Sequence, residues 1–406
     1  MATLVLQGGR VIDPASETDE TTDVVVVDGR IASVGPAGPE VLDAPGTEVR
    51  DCRGLLVTPG LIDLHVHVMA GLGDFCVEAD HVGVGMGVPT VVDGGTSGVA
   101  TFDISRRAVI DHPATRTNVL AFLDPNQLYL ATKDFICHRL EIAGDLRNLD
   151  AGSLADSLER NDDVVVGAKV RACHVGDPEH SPFLAAAQDV MGHRPVMVHL
   201  GRFPFTPVIT PTALLRQVRG GDIVTHAFRG AGGMVGPDGK AVPELRDAVD
   251  RGVVLDIGHS GTDFRFKEAR RLLDQGYLPD TASTDINVFT VEGPVFSLAE
   301  TLTKVLALGV DLRDVVAMGT SNTARAIGRS HELGRLEPGR SAEVSVLRLR
   351  DDGPFPVSDG KEVVQADRAL EPVGCLRAGT WHATPRLPSF ATVGETWEDP
   401  GEGMDW

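Results

Sequence analysis

The stretch Gly60–Val68, GLIDLHVHV, decides how the chain is read. It is apolar enough for a buried strand, yet it carries two histidines one residue apart. Alternate side chains of a strand point to one face, so His65 and His67 share a side, with Asp63 beside them. An isolated H-x-H suits two hydrogen-bonded core histidines as well as a pair of metal ligands. What lies downstream separates the two.

From Pro59 onward short apolar runs recur, each followed by a polar loop and often a helical stretch. The runs are 61–67, 89–95, 118–124, 164–170, 195–201, 222–228, 252–258 and 281–287. Helical segments such as PFLAAAQDVMG and FKEARRLLDQG separate some of them. Strands alternating with helices predict a parallel sheet, and eight such units over about 250 residues predict an α/β fold, a (β/α)8 TIM barrel. The predicted barrel spans 59–333. Residues 1–58 and 334–383 read as short strands and turns that pair into a small β-sandwich domain, including a hairpin at Asp28-Gly29. The tail 384–406 holds Pro, Gly and acidic residues with little periodicity, as expected of disorder or of order imposed by contact.

Chemistry in such barrels sits at the C-terminal strand ends. His65 and His67 end run one, Lys169 falls late in run four, and His199, His226 and Asp285 end runs five, six and eight. Imidazole and carboxylate suit zinc and similar divalent ions. A lysine in an apolar strand is the odd member, since a buried ammonium must be paired, neutralised or modified. Reaction with CO2 would turn Lys169 into a carbamate, an anion able to bridge two metals.

These residues resemble the amidohydrolase superfamily over nearly the full chain. The features are PGLIDLHVH, the run-four lysine, the histidines of runs five and six, the run-eight aspartate, and the flanking segments GGRVIDP and GRLEPGRSAEV. In the last of these, Glu343 stands where the superfamily usually has aspartate. GVPTVVDGGTSG, GAKVRA, THAFRG and LDIGHSGTDFRF are similar to the deacetylase-type members often labelled dihydroorotases.

The resemblance implies two divalent ions, zinc first among the choices. His65, His67 and Asp285 would hold the more buried ion, His199 and His226 the other, with carbamylated Lys169 and a hydroxide between them. The hydroxide would attack the acyl carbonyl, and Asp285 would carry its proton to the leaving group. The implied activity removes an acyl group, such as acetyl, from a small N-acyl amino acid or O-acyl hydroxy acid. Arg229, His259 and Arg171 are candidate substrate contacts, Arg202 a weaker one. Arg229 suits a substrate carboxylate bidentately. Asp63 is either a support for a ligand histidine or a structural hydrogen-bonding group. The alternatives are a cyclic amidase of the dihydroorotase or hydantoinase type and, in another class, a non-catalytic scaffold. Val68 and Met69 follow the H-x-H where dihydroorotases often carry an arginine.

Composition narrows the partners. The net charge is -21, from 58 acidic against 37 basic residues, which excludes the basic face of a nucleic-acid binder and disfavours anionic membranes. A small-molecule substrate and a homo-oligomer are expected. The five cysteines are dispersed without C-x-x-C, as reduced cytoplasmic thiols would be. The N-terminus lacks a signal-peptide pattern, and no apolar run reaches membrane-spanning length.

Overall fold

The computed structural model describes residues 2–131, 139–201 and 206–394. Arg202 and the tail beyond 394 lie outside the described residues. The strands in chain order are β1 (Thr3–Asp13), β2 (Thr18–Val27), β3 (Arg30–Val34), β4 (Thr47–Asp51), β5 (Leu56–Pro59) and β6 (Ile62–Val66). Then come β7 (Thr90–Gly98), β8 (Asn118–Asp124), β9 (Val165–Arg171), β10 (Val196–His199), β11 (Ile223–Thr225) and β12 (Val254–Leu255). The last are β13 (Val344–Arg350), β14 (Phe355–Ser358), β15 (Val363–Ala366), β16 (Ala369–Arg377) and β17 (Thr380–Ala383).

Seven strands, β6 to β12, form one parallel sheet in sequence order. Their residues are buried on both faces, as befits a parallel sheet covered on each side. The covering helices start on the expected signals. Pro182–Met191 follows Ser181, whose side chain accepts from the Leu184 amide at 3.3 Å, with Pro182 at the first helical position. Phe266–Leu273 buries Phe266, Ala269 and Leu272, one face at helical spacing.

The eighth run is not a regular strand. It meets its neighbours through single parallel bridges, Thr281 with Asp256 and Ile286 with Val66. Main-chain bonds flank it on both sides: Asp285 N donates to His65 O at 2.7 Å, and Ser260 N donates to Thr284 O at 2.9 Å. Segment 281–286 therefore fills the gap between the two edges of the parallel sheet. Side chains stand in for part of the ladder. Asp63 accepts from Thr284 N at 3.1 Å and Thr284 Oγ1 at 2.7 Å. Asp256 accepts from Thr281 Oγ1 at 2.8 Å and Ser283 Oγ at 2.7 Å.

Both chain ends meet in a second sheet, ordered β17-β16-β13-β5-β1-β2-β3, with β4 beside β1. Gly8 and Gly9 lie inside a single strand, β1. Its register with β2 shifts between Leu6 and Gly9, a bulge made possible by Gly8 at φ +69°. The hairpin turn falls on Asp28 (φ 47°) and Gly29 (φ 78°), both left-handed, so Val27 pairs with Arg30. The start of the tail is ordered by contact: a short helix, Phe390–Val393, donates from Phe390 N to Glu300 Oε1 at 3.3 Å. Among the described residues no helix is long and apolar enough to cross a membrane.

Candidate metal centre

β6 ends in the centre with His65 and His67 on one face, both buried. Asp285 arrives from the eighth segment, its Oδ1 3.0 Å from His67 Nε2 and 3.3 Å from His65 Nε2. One ligand atom from each of these three residues falls within a set whose members all lie within 4.8 Å of one another. Lys169, only 2 % exposed on β9, places Nζ 2.9 Å from His65 Nε2. His226 follows β11, and its ring centroid lies 5.4 Å from that of His65 and 4.4 Å from that of His199 at the end of β10. The six residues thus converge at the C-terminal ends of the strands.

Two of the six residues lie in unusual backbone. His226 has φ 66° and Asp285 φ 51°, conformations that cost a non-glycine residue about 1–3 kcal/mol and concentrate at functional sites. Glycines make the room. A Cβ on Gly94 would fall 2.1 Å from His65 Cδ2, and one on Gly95 2.4 Å from Lys169 Cβ. This accounts for the Gly94-Gly95 pair in β7. Gly94→Ala is expected to lower stability by about 1–3 kcal/mol, the range for overpacking a filled core. Denaturant unfolding beside metal content will show whether the displaced imidazole also loses its ligand role.

The donor set fits a cation. Burial lowers the pKa of His65, His199 and His226, which favours the neutral imidazole, the form that binds a cation. His226 Nδ1 is 2.7 Å from Gly258 O, a carbonyl that can only accept, so Nδ1 carries the hydrogen. Nε2 is then a lone pair, buried without a hydrogen bond and 3.8 Å from Asp285 Oδ2. Two electron-rich atoms thus face each other with no hydrogen between them, as the donors of a cation site do. Lys169 is pushed down to about 8 by burial, and its amine faces the His65 imidazole and Met197 Sδ at 3.5 Å.

The other sequence candidates have partners of their own. Arg229 donates to Leu200 O at 2.6 Å and pairs with Asp263 at 3.1 Å, so its charge is already met inside the protein. Arg171 lies with Lys169 on one face of β9, its guanidinium 4.9 Å from the centroid of Tyr129. His259 is fully buried: its Nδ1 accepts from Gly261 N at 3.0 Å, and its Nε2 lies 2.8 Å from Lys304 Nζ. Asp63 ties down Thr284, next to Asp285, and holds no imidazole. Residues not singled out from sequence surround the ligands: Thr96, Thr225, Asp93 and Asp256. The one signal available was a carboxylate inside each of two apolar runs, VVDGG and VVLDIG.

The chain is similar to known proteins. A sequence profile described as the amidohydrolase family matches residues 243–381. Over 361 residues the chain is 32 % identical to a deacetylase of Agrobacterium fabrum, spanning 87 % of this chain and 85 % of that protein. A deacetylase of Brucella anthropi is 31 % identical over the same length, 87 % of this chain and 86 % of its own. The crystal structure of a dihydroorotase superposes with a TM-score of 0.82 at 28 % identity, covering 96 % of this chain and 99 % of that one. The chain belongs to the amidohydrolase superfamily and is a hydrolytic enzyme. Within the superfamily it is deacetylase-like.

Proposed function

We propose that the protein is a binuclear metal-dependent deacylase. Its substrate is a small N-acyl amino acid or O-acyl hydroxy acid, from which it removes an acyl group such as acetyl. The observation that carries this reading is the set of imidazole and carboxylate lone pairs facing one another around Asp285. In this reading segment 281–286 closes an eight-stranded barrel, and the second sheet belongs to a composite β-sandwich.

His65, His67 and Asp285 would hold one ion, His199 and His226 the other, with a carbamate on Lys169 between them. Zinc suits this nitrogen and oxygen set. Bound ions would polarise the scissile carbonyl and lower the pKa of the attacking water. Asp285, against both β6 histidines, takes the water's proton and returns it to the leaving amine or alkoxide. Arg171, on the same face of β9 as Lys169, supplies the positive charge that a substrate acid group would meet. All six side chains of the centre are buried, and low exposure strengthens each of these interactions.

A second reading, ring opening of a cyclic amide, draws on the likeness to the dihydroorotase structure. The relationship to deacetylases across most of the chain goes against a non-catalytic scaffold. A hydrolysis panel on enzyme expressed with zinc and bicarbonate separates the enzyme readings. It sets N-acetyl-D- and L-amino acids and acetylated 2-hydroxy acids against dihydroorotate, hydantoin and dihydrouracil. Turnover of the open-chain acyl compounds is expected. Turnover of the ring amides alone would replace the deacylase reading with the cyclic one.

A further inference from the structure

His65 and His67 are each held at the ring nitrogen facing away from Asp285, and in each case the partner is a threonine hydroxyl. His67 Nδ1 lies 2.8 Å from Thr96 Oγ1, and that hydroxyl donates to Asp93 Oδ2 at 2.7 Å. His65 Nδ1 lies 3.2 Å from Thr225 Oγ1, which donates to Asp256 Oδ2 at 2.7 Å. All four supporting residues are buried. A hydroxyl has a single proton, and a carboxylate only accepts. The threonine proton therefore points at the carboxylate, and its oxygen is left to accept from the imidazole. Each Nδ1 must carry a hydrogen, and in the neutral ring each Nε2 is then a bare lone pair.

The carboxylates are anchored in their turn. Asp93 also accepts from Thr96 N at 2.8 Å and Val68 N at 3.1 Å. Asp256 accepts from Thr281 and Ser283 of the segment that delivers Asp285. One carboxylate thus links the placement of the His65 ring to that of Asp285. His226 is handled differently, through the Gly258 carbonyl, so no side chain there can be exchanged.

We propose that Thr96 and Thr225 are positioning residues that pass the Nδ1–H of His67 and His65 on to Asp93 and Asp256, presenting both Nε2 lone pairs toward Asp285. The proposal rests on the metal-centre reading above. Without the hydroxyl acceptor, a ring can adopt the other tautomer and point N–H at the centre, where it cannot bind an ion.

Thr→Val keeps the shape and removes the hydroxyl, and Thr→Ser keeps the hydroxyl. Chelator competition should show zinc held about 10–100-fold more weakly in Thr96→Val and Thr225→Val, the usual scale for losing a group behind a ligand. Thr96→Ser and Thr225→Ser should stay near wild type. Nitrogen-15 NMR of the histidine rings in metal-free wild-type protein should report Nδ1–H for His65 and His67. This second readout needs neither metal nor activity, and it decides the matter if the valine variants fail to fold. Nε2–H at either histidine, or folded valine variants that hold zinc as tightly as wild type, would overturn the proposal. Wild-type protein that takes up no metal would instead remove the metal-centre reading, and this role with it.

Discussion

Asp285→Asn should lower kcat/KM on an N-acyl amino acid by about 10³-fold, roughly 4 kcal/mol of transition-state stabilisation. Asparagine has nearly the same size, so packing is kept. The backbone is held independently of the side chain, by Asp285 N on His65 O at 2.7 Å and by Asn287 Nδ2 on Asp285 O at 2.9 Å. Thr284 stays tied to Asp63. What disappears is a negative charge 3.0 Å from His67 Nε2 and 3.3 Å from His65 Nε2, and with it the group that accepts a proton. The variant should unfold at nearly the wild-type denaturant midpoint. Metal analysis beside the kinetics divides the loss between ion binding and proton transfer. A variant with full metal content and activity within tenfold of wild type would show that the proton travels by another group.

The meeting of these six residues was legible because it depends on two simple regularities. Alternation puts His65 and His67 on one face, and barrel topology brings strand ends together, so residues far apart in sequence could be listed before any coordinates. The limits of the strands were less legible. β12 is only Val254–Leu255, and the eighth run adds hydroxyl-to-carboxylate bonds to its main-chain ones in place of a regular ladder. TASTDIN has the β-branched residues of a strand, but it also has the hydroxyls that satisfy Asp63 and Asp256, and pattern alone does not say which use prevails. Threonines 96 and 225 escaped notice for the same reason, since threonine is at home in any strand. Arg229 shows the converse. Its place after His226 suggested a substrate carboxylate, and only three dimensions reveal Asp263 and the Leu200 carbonyl already against it.

Lys169 carries the other large expectation. As a plain ammonium it would have three hydrogens to place. The structure offers Nζ the His65 imidazole at 2.9 Å and the Met197 thioether at 3.5 Å, a weak acceptor, in a position 2 % exposed. Burial accordingly shifts the group toward the neutral amine, the form that adds CO2. Lys169→Ala should therefore cost about 10³-fold in turnover, the scale for removing one charged group from a preorganised centre. It should also leave space beside Gly95, which has no side chain to fill it. Acetate or formate could enter that space and supply the missing carboxylate, so added short carboxylates should restore activity at least tenfold. Lys169→Arg should be as inactive and should not respond, because its guanidinium fills the space and stays charged. Rescue of the alanine variant alone would establish that the lysine acts as an anion. Equal silence of both variants, with metal still bound, would show that Lys169 serves as an amine and that no carbamate is needed.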